Sequence, residues 1–412
     1  MYRRCLLLFC LGCAQGTSVP DDVGGRIRDT RGVPVDGNGV DTIGLPDAGT
    51  PSCVPLNSGT WRELGRPSLA SAPNADTAVA PNGTLARISL TGTPPLPRVE
   101  VFDAGTWRAI GVFPPTNANV NVVGLAHDGV SFVAMWARTE AGIERPVVHR
   151  LVEGTWSEQT VLGNGAPVST SVAGSASLWA TGGVVRIAGL QQLGDFRTRE
   201  VVVAEHRMGV STALPNPPDE GMGAFTPSLA HRDDTLVLAW SEGSELQLAR
   251  YDGSWTRWTT TGLFMGLPSN TRAASSAAGL WVAGSDFIDV DTNVVRLFRV
   301  EDETLVPAMG PFDRDPSTGP AFVADMGVDS LGRAVLAMEE PASAGAATRH
   351  VHVVRTEGMD GVPLGPALDA TPETNGTASL AIDGCDWPVV SVVEAREVGS
   401  SNYDVRTYRF ED

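Results

Sequence analysis

Short apolar runs broken by tight-turn residues dominate this chain after residue 53. The clearest example begins at Ser228-Leu229-Ala230 and turns through His231-Arg232-Asp233-Asp234. It continues as Thr235-Leu236-Val237-Leu238-Ala239-Trp240-Ser241-Glu242, passes Gly243-Ser244, and resumes as Glu245-Leu246-Gln247-Leu248-Ala249-Arg250-Tyr251. An Asp252-Gly253 turn then leads into Trp255-Thr256-Arg257-Trp258. The period is two, Val and Thr are frequent, and Asp-Gly between such runs is a strong hairpin signal. The segment therefore predicts four short antiparallel strands. Helices are excluded because the apolar positions do not recur at the spacing of a helical face.

The same unit repeats. Val123 to Val161 carries Ala126-His127-Asp128-Gly129, Val133-Ala134-Met135-Trp136 and Val147-Val148-His149-Arg150. Gly332 to Met338 with His350 to Arg355 gives another, and Ser379 to Gly384 with Pro388 to Glu394 gives the last. More degenerate units lie near 75–111, 170–212 and 272–308. A Gly-x-Trp signature ends Ser58-Gly59-Thr60-Trp61, Ala104-Gly105-Thr106-Trp107, Glu153-Gly154-Thr155-Trp156 and Asp252-Gly253-Ser254-Trp255. These tryptophans are 46, 49 and 99 residues apart, the last interval being two periods of about 50.

A lone four-stranded unit cannot cover both of its faces, whereas radial stacking covers them with neighbours. Residues 61 to 412 hold about seven such periods. The reading is an all-β, seven-bladed β-propeller of four-stranded antiparallel blades, with two separate β-sandwiches as the alternative. The final unit, 371–412, supplies only three strands, and the Trp-bearing strand it lacks stands at Gly59-Thr60-Trp61. The N-terminal strand is therefore expected to complete the last blade. The tryptophans are expected to pack between blades with their indole N–H groups satisfied at an edge.

Composition narrows the function. With 412 residues, 42% of them hydrophobic, the chain can bury a large core. A net charge of −18 repels phosphate backbones and disfavours both nucleic acid and broad adsorption to anionic lipid. The N-terminus has Arg3 and Arg4 followed by Cys5-Leu6-Leu7-Leu8-Phe9-Cys10-Leu11-Gly12-Cys13, a secretory-signal pattern too short to span a bilayer. Gly12-Cys13 resembles the bacterial lipobox. That resemblance implies a signal peptide over 1–12, a lipid on Cys13 and, with Ala14 following, an outer-membrane or cell-surface location. The tether is 13–52, since residues 14–52 have no aromatics and no period and read as a disordered coil, with 53–412 as the propeller domain. Once Cys5 and Cys10 leave with the signal and Cys13 carries lipid, Cys53 and Cys385 remain. In an exported protein they predict one disulfide, with two free thiols as the alternative. Closure and disulfide agree, because Cys385 falls in a first hairpin turn and Cys53 just ahead of the closing strand.

Across roughly 53–412 the chain resembles secreted β-propeller lipoproteins of GC-rich bacteria, in architecture only. The Ser-x-Asp-x-Gly-x-x-Trp boxes of sialidases are missing, and only Gly182-Gly183 resembles a kelch glycine pair. Aligning the repeats places Glu242, Asp286, Glu340 and Glu394 at one position, the end of the second strand. Such carboxylates suit calcium, acid–base glycoside chemistry, or plain hydrogen bonding at a strand end. Trp136 and Trp240, two residues from that position, suit sugar stacking or core packing. Arg150, Arg250, Arg299, Arg355 and Arg409 recur at the end of the third strand, which suggests structural pairing between blades. His350 and His352 share a strand face but lack a third ligand nearby.

No P-loop, Gly-x-Ser-x-Gly elbow or nucleophilic cysteine motif occurs. The leading expectation is thus a monomeric, surface-tethered binding or scaffold propeller for an envelope protein or glycan, with no catalytic residue, metal or other cofactor. The alternative is a secreted carbohydrate-active enzyme, a glycoside hydrolase or lyase, using the carboxylates on one propeller face. Recognition loops are expected at 112–121, 214–226, 286–293, 311–321 and 340–348.

Overall fold

In the computed structural model the chain forms seven antiparallel sheets and, among the described residues, no helix. The described residues are 59–411, except 115–119, 141–142, 162–175, 193–198, 208, 219–223, 259, 261–266, 290–291, 313–318, 344–345, 347–348, 359, 369–376 and 398–401. The signal, Cys13, the tether and Cys53 lie outside them.

Six sheets take their four strands in chain order. Blade 1 spans 75–109, blade 2 120–161, blade 3 177–213, blade 4 224–258, blade 5 267–312 and blade 6 322–363. Blade 7 takes Ala378–Ile382, Pro388–Ala395 and Tyr403–Glu411, and its fourth strand is Thr60–Glu63 from the other end of the described chain. Thr60 pairs with Glu411 and Trp61 with Phe410, as the missing strand in the last repeat predicts. A short extra strand, Ser68–Ala70, then continues along Tyr403–Val405. The first strands of neighbouring blades touch one another all the way round, the last against the first, so they form the inner ring.

Two sets of recurring hydrogen bonds tie this ring together. On the inner strands, one position reaches the next blade. Asp76 accepts the Leu125 N–H at 2.8 Å, Ser177 that of Leu229 at 3.1 Å, Ser228 that of Ala273 at 2.9 Å, and Asp325 that of Leu380 at 2.7 Å. At the same position Arg272 Nε donates to the Ala324 carbonyl at 2.9 Å, and Ser379 Oγ donates to Thr77 Oγ1 at 3.2 Å. Blade 2 carries Gly124 there and has no side chain to offer. A buried backbone N–H left without a partner is costly, so short polar side chains are favoured along an otherwise apolar strand.

The second set lies on the outer strands. Trp107 donates its indole N–H to the Leu64 carbonyl at 2.6 Å, Trp156 to Ile110 at 3.0 Å, Trp255 to Pro215 at 2.6 Å, and Trp61 to Leu364. Each acceptor lies just beyond the fourth strand of the preceding blade. This is the inter-blade packing expected of the Gly-x-Trp signature. The indole also explains the glycine that follows three of these carbonyls, those of Leu64, Ile110 and Leu364. At Gly111 a β-carbon would lie 2.6 Å from Trp156 Nε1, and at Gly365 2.9 Å from Trp61 Cδ1, both at positive φ.

Candidate functional site

In every blade the second-to-third strand turn and the connection to the next blade lie on one face of the ring, here the connector face. The first-to-second and third-to-fourth turns lie on the opposite face, the turn face. Register places Glu242, Asp286, Glu340 and Glu394 at the connector-face end of the second strands of blades 4 to 7. All four are buried, Asp286 completely.

The third strand supplies a polar group beside each carboxylate. Cross-strand partners are Glu245, Val294, His350 and Asp404, and the residue two further on lies on the same face of its strand. That residue is Gln247, Arg296, His352 and Arg406 in turn. Arg296 Nε donates to Asp286, and Arg406 Nε donates to Glu394 Oε2 at 2.8 Å. Arg406 also bonds Glu63 Oε1 of the closing strand at 2.9 Å. Burial by itself would lower the Arg406 pKa, but Glu394 and Glu63 outweigh it and hold the guanidinium above its ordinary value. His352 Nε2 lies 3.8 Å from Glu340 Oε2, and the neighbouring Glu339 faces Arg349 at 3.4 Å. Of these third-strand partners the sequence singles out only His352, as half of a histidine pair and not as the neighbour of a carboxylate. Strand alternation would reveal them only once the register was known.

Trp136 and Trp240 are both buried, Trp240 completely. Trp136 stacks on His149 with ring centroids 3.7 Å apart and meets the edge of Phe113 at 4.7 Å. Trp240 packs in the apolar cluster shared by blades 3, 4 and 5. Neither indole presents a face to solvent.

The recurring third-strand arginines lie at the turn face and divide into two groups. Arg150 reaches the Gly183 carbonyl of blade 3 at 3.2 Å, and Arg250 pairs with Glu303 of blade 5. Arg409 pairs with Asp383 at 2.7 Å, Arg355 with Glu357 at 2.7 Å and Arg299 with Glu301 at 3.5 Å, each inside its own blade. Of these contacts, those of Arg150 and Arg250 run between blades. Cys385 sits in the first turn of blade 7 and is disulfide-bonded; its expected partner, Cys53, lies outside the described residues. No group of three or more His, Cys, Asp or Glu among the described residues is arranged to hold a metal ion.

No known family profile matches the chain, and no curated protein matches it in sequence. Solved structures resemble it in shape. One is the α-L-arabinanase of Penicillium chrysogenum complexed with arabinobiose, at 12% identity and TM-score 0.49, covering 73% of this chain and 96% of that one. Another is YjhT, at 11% identity and TM-score 0.45, covering 70% and 99%. A third is the Trypanosoma rangeli sialidase, at 12% identity and TM-score 0.43, covering 74% and 56%. The likeness is one of blade arrangement and assigns no residue a role. It nevertheless corrects the leading expectation of a non-catalytic binding or scaffold propeller. An arabinanase and a sialidase stand among these structures.

Proposed function

We propose that the protein is an exported carbohydrate-active enzyme, a glycoside hydrolase or lyase, whose acid and base are drawn from Glu242, Asp286, Glu340 and Glu394. One observation carries the reading: four adjacent blades place a buried carboxylate at the same position of the same face, and three of these lie beside an arginine or histidine of the third strand. A repeat that needed only packing would place apolar residues there, since burying a charge is costly without a partner.

Glycoside cleavage needs one carboxyl that gives a proton to the leaving oxygen and a second that stays ionised. The environments here differ in the required way. Glu394 is held by the Arg406 guanidinium, which favours its carboxylate form and suits a base or nucleophile. Glu340 lies beside the imidazoles of His350 and His352, through which a proton can pass, and suits the acid. Glycan is then substrate, and recognition falls to the connector-face loops.

The test is a broad glycosidase and lyase screen of the full chain, followed by Glu340→Gln and Glu394→Gln. Each change is expected to reduce kcat by at least about a hundredfold with the melting temperature nearly unchanged. Full activity in both variants removes these residues from the chemistry.

The same proposal carries the export features: signal peptide 1–12, lipid on Cys13, tether 13–52, and a Cys53–Cys385 disulfide that fixes the closing strand to blade 7. Cys13→Ser is expected to move the protein from the detergent-extracted membrane fraction to the soluble one.

A further inference from the structure

The Gly-x-Trp signature has a gap whose consequence is a cavity. In blades 1, 2 and 7, the tryptophan pairs with the residue five before it or its register equivalent: Trp107 with Phe102, Trp156 with Leu151, Trp61 with Phe410. Blade 3 keeps the glycine and the register but not the indole, since Gly209-Val210-Ser211 stands in the place of Gly-x-Trp and Ser211 pairs with His206. Blade 5 has Leu305 there and blade 6 Gly361. Leu305 is buried in an apolar cluster, and the junction of blades 5 and 6 is bridged instead by Trp281, whose N–H donates to the Gly332 carbonyl at 2.8 Å. At the junction of blades 2 and 3 a cavity of about 570 Å³ remains, within the size range of small-molecule sites.

Two arginines line it, in a protein whose net charge is −18. Arg150 enters from blade 2, and His206 and Arg207 from blade 3. Gly182, Gly183, Val184 and Gly209 form the rest of the blade 3 wall, and a β-carbon at Gly182, Gly183 or Gly209 would meet nothing within 4 Å. The residues lining the cavity include no carboxylate, while just outside the lining Asp128 pairs with Arg150 and Glu205 with Arg207 at 3.3 Å. Arg150 is already oriented by Asp128 and the Gly183 carbonyl, while its buried Nε–H makes no hydrogen bond among the described residues. His206 Nδ1 is engaged by Ser211 Oγ at 3.1 Å, which leaves Nε2 as the ring's other polar atom.

We infer that this cavity is a binding site for a small oxyanion-bearing molecule, one that presents a carboxylate, sulfate or phosphate group to Arg150 and Arg207. Guanidinium groups bind such anions through paired N–H donors, and the glycines let the ligand approach the backbone closely. The site lies on the turn face, opposite the carboxylate positions, and does not rest on the proposed enzymatic activity.

Isothermal titration of the full chain with sodium sulfate, sodium phosphate and sodium glucuronate, at ionic strength fixed with chloride, tests it. One-to-one binding of at least one of these is expected, and the arm that binds identifies the class. Arg207→Gln should weaken it at least tenfold. Ser211→Trp, which restores the side chain used by the other blades, should abolish it without lowering the melting temperature. No binding by the natural chain, unchanged affinity in Arg207→Gln, or equal affinity in a folded Ser211→Trp variant overturns the inference.

Discussion

Arg87 of blade 1 donates to the backbone carbonyl of Val405 in blade 7 at 3.1 Å, across the seam where the ring closes. The same guanidinium bonds Thr407 Oγ1 at 3.2 Å, Glu100 Oε2 at 3.1 Å, and the Ser68 hydroxyl in the segment that follows the closing strand. It also lies over the Trp107 ring at 4.0 Å. One buried side chain thus gathers both ends of the described chain and two blades. Desolvation lowers its pKa to about 10, with Glu100 opposing the shift, so it stays charged at neutral pH.

Removing that guanidinium should loosen the seam. Arg87→Ala leaves Glu100 buried with only the half-exposed Arg98, at 2.8 Å, as its cation, so the loss should fall short of the ~3–5 kcal/mol of a buried charge left wholly unpaired. Urea denaturation of Arg87→Ala, Glu100→Ala and the double variant measures it. The double variant should be less destabilised than the sum of the single changes, because no unpaired charge remains in it.

Loss of the closing strand should be more severe. Deleting residues 53–66 removes Thr60–Glu63, exposes the edge of Tyr403–Glu411 and takes away the indole of Trp61 that packs on Phe410 at 5.1 Å. Circular dichroism on heating is expected to show an early or non-cooperative transition. A melting curve like that of the full chain would contradict closure by this strand.

The inner ring makes a graded prediction. Asp325→Ala leaves the Leu380 N–H without its acceptor and should cost about 1–3 kcal/mol. Asp325→Ser should recover much of this, since Ser177 and Ser228 perform the same task at the equivalent position. Chemical denaturation of the two variants distinguishes a specific hydrogen bond from a general need for an acid.

Acid should weaken the fold before most carboxylates titrate. Desolvation lowers the pKa of His127 to about 4, against 6.5 when unfolded, with the nearby Arg150 adding to the shift and Asp128 opposing it. Burial also lowers His206 and His231. A base whose folded pKa is depressed binds more protons when unfolded, so stability is full above about pH 6.5 and declines as pH falls toward 4. His127→Asn should flatten part of that decline when melting temperature is followed from pH 7.5 to 4.5.

The repeat, the blade count and the shared last blade were legible in the chain because they follow from local facts. A period of two, Asp-Gly turns and Gly-x-Trp endings each occupy a few neighbouring residues, and the missing Trp in the final unit had one place to be found. The candidate site was legible only as a position. Alignment gave Glu242, Asp286, Glu340 and Glu394, but not their burial or their third-strand partners, because pairing depends on register across a turn whose length differs from blade to blade. Trp136 and Trp240 show the same limit, since the faces of a strand in a stacked blade both meet neighbouring sheets, and alternation alone cannot tell a lining from a core. Likewise Ser211 is unremarkable as a residue. Only the tertiary packing, in which four other blades fill that place with an indole, turns it into an opening, because a void is a property of what surrounds it.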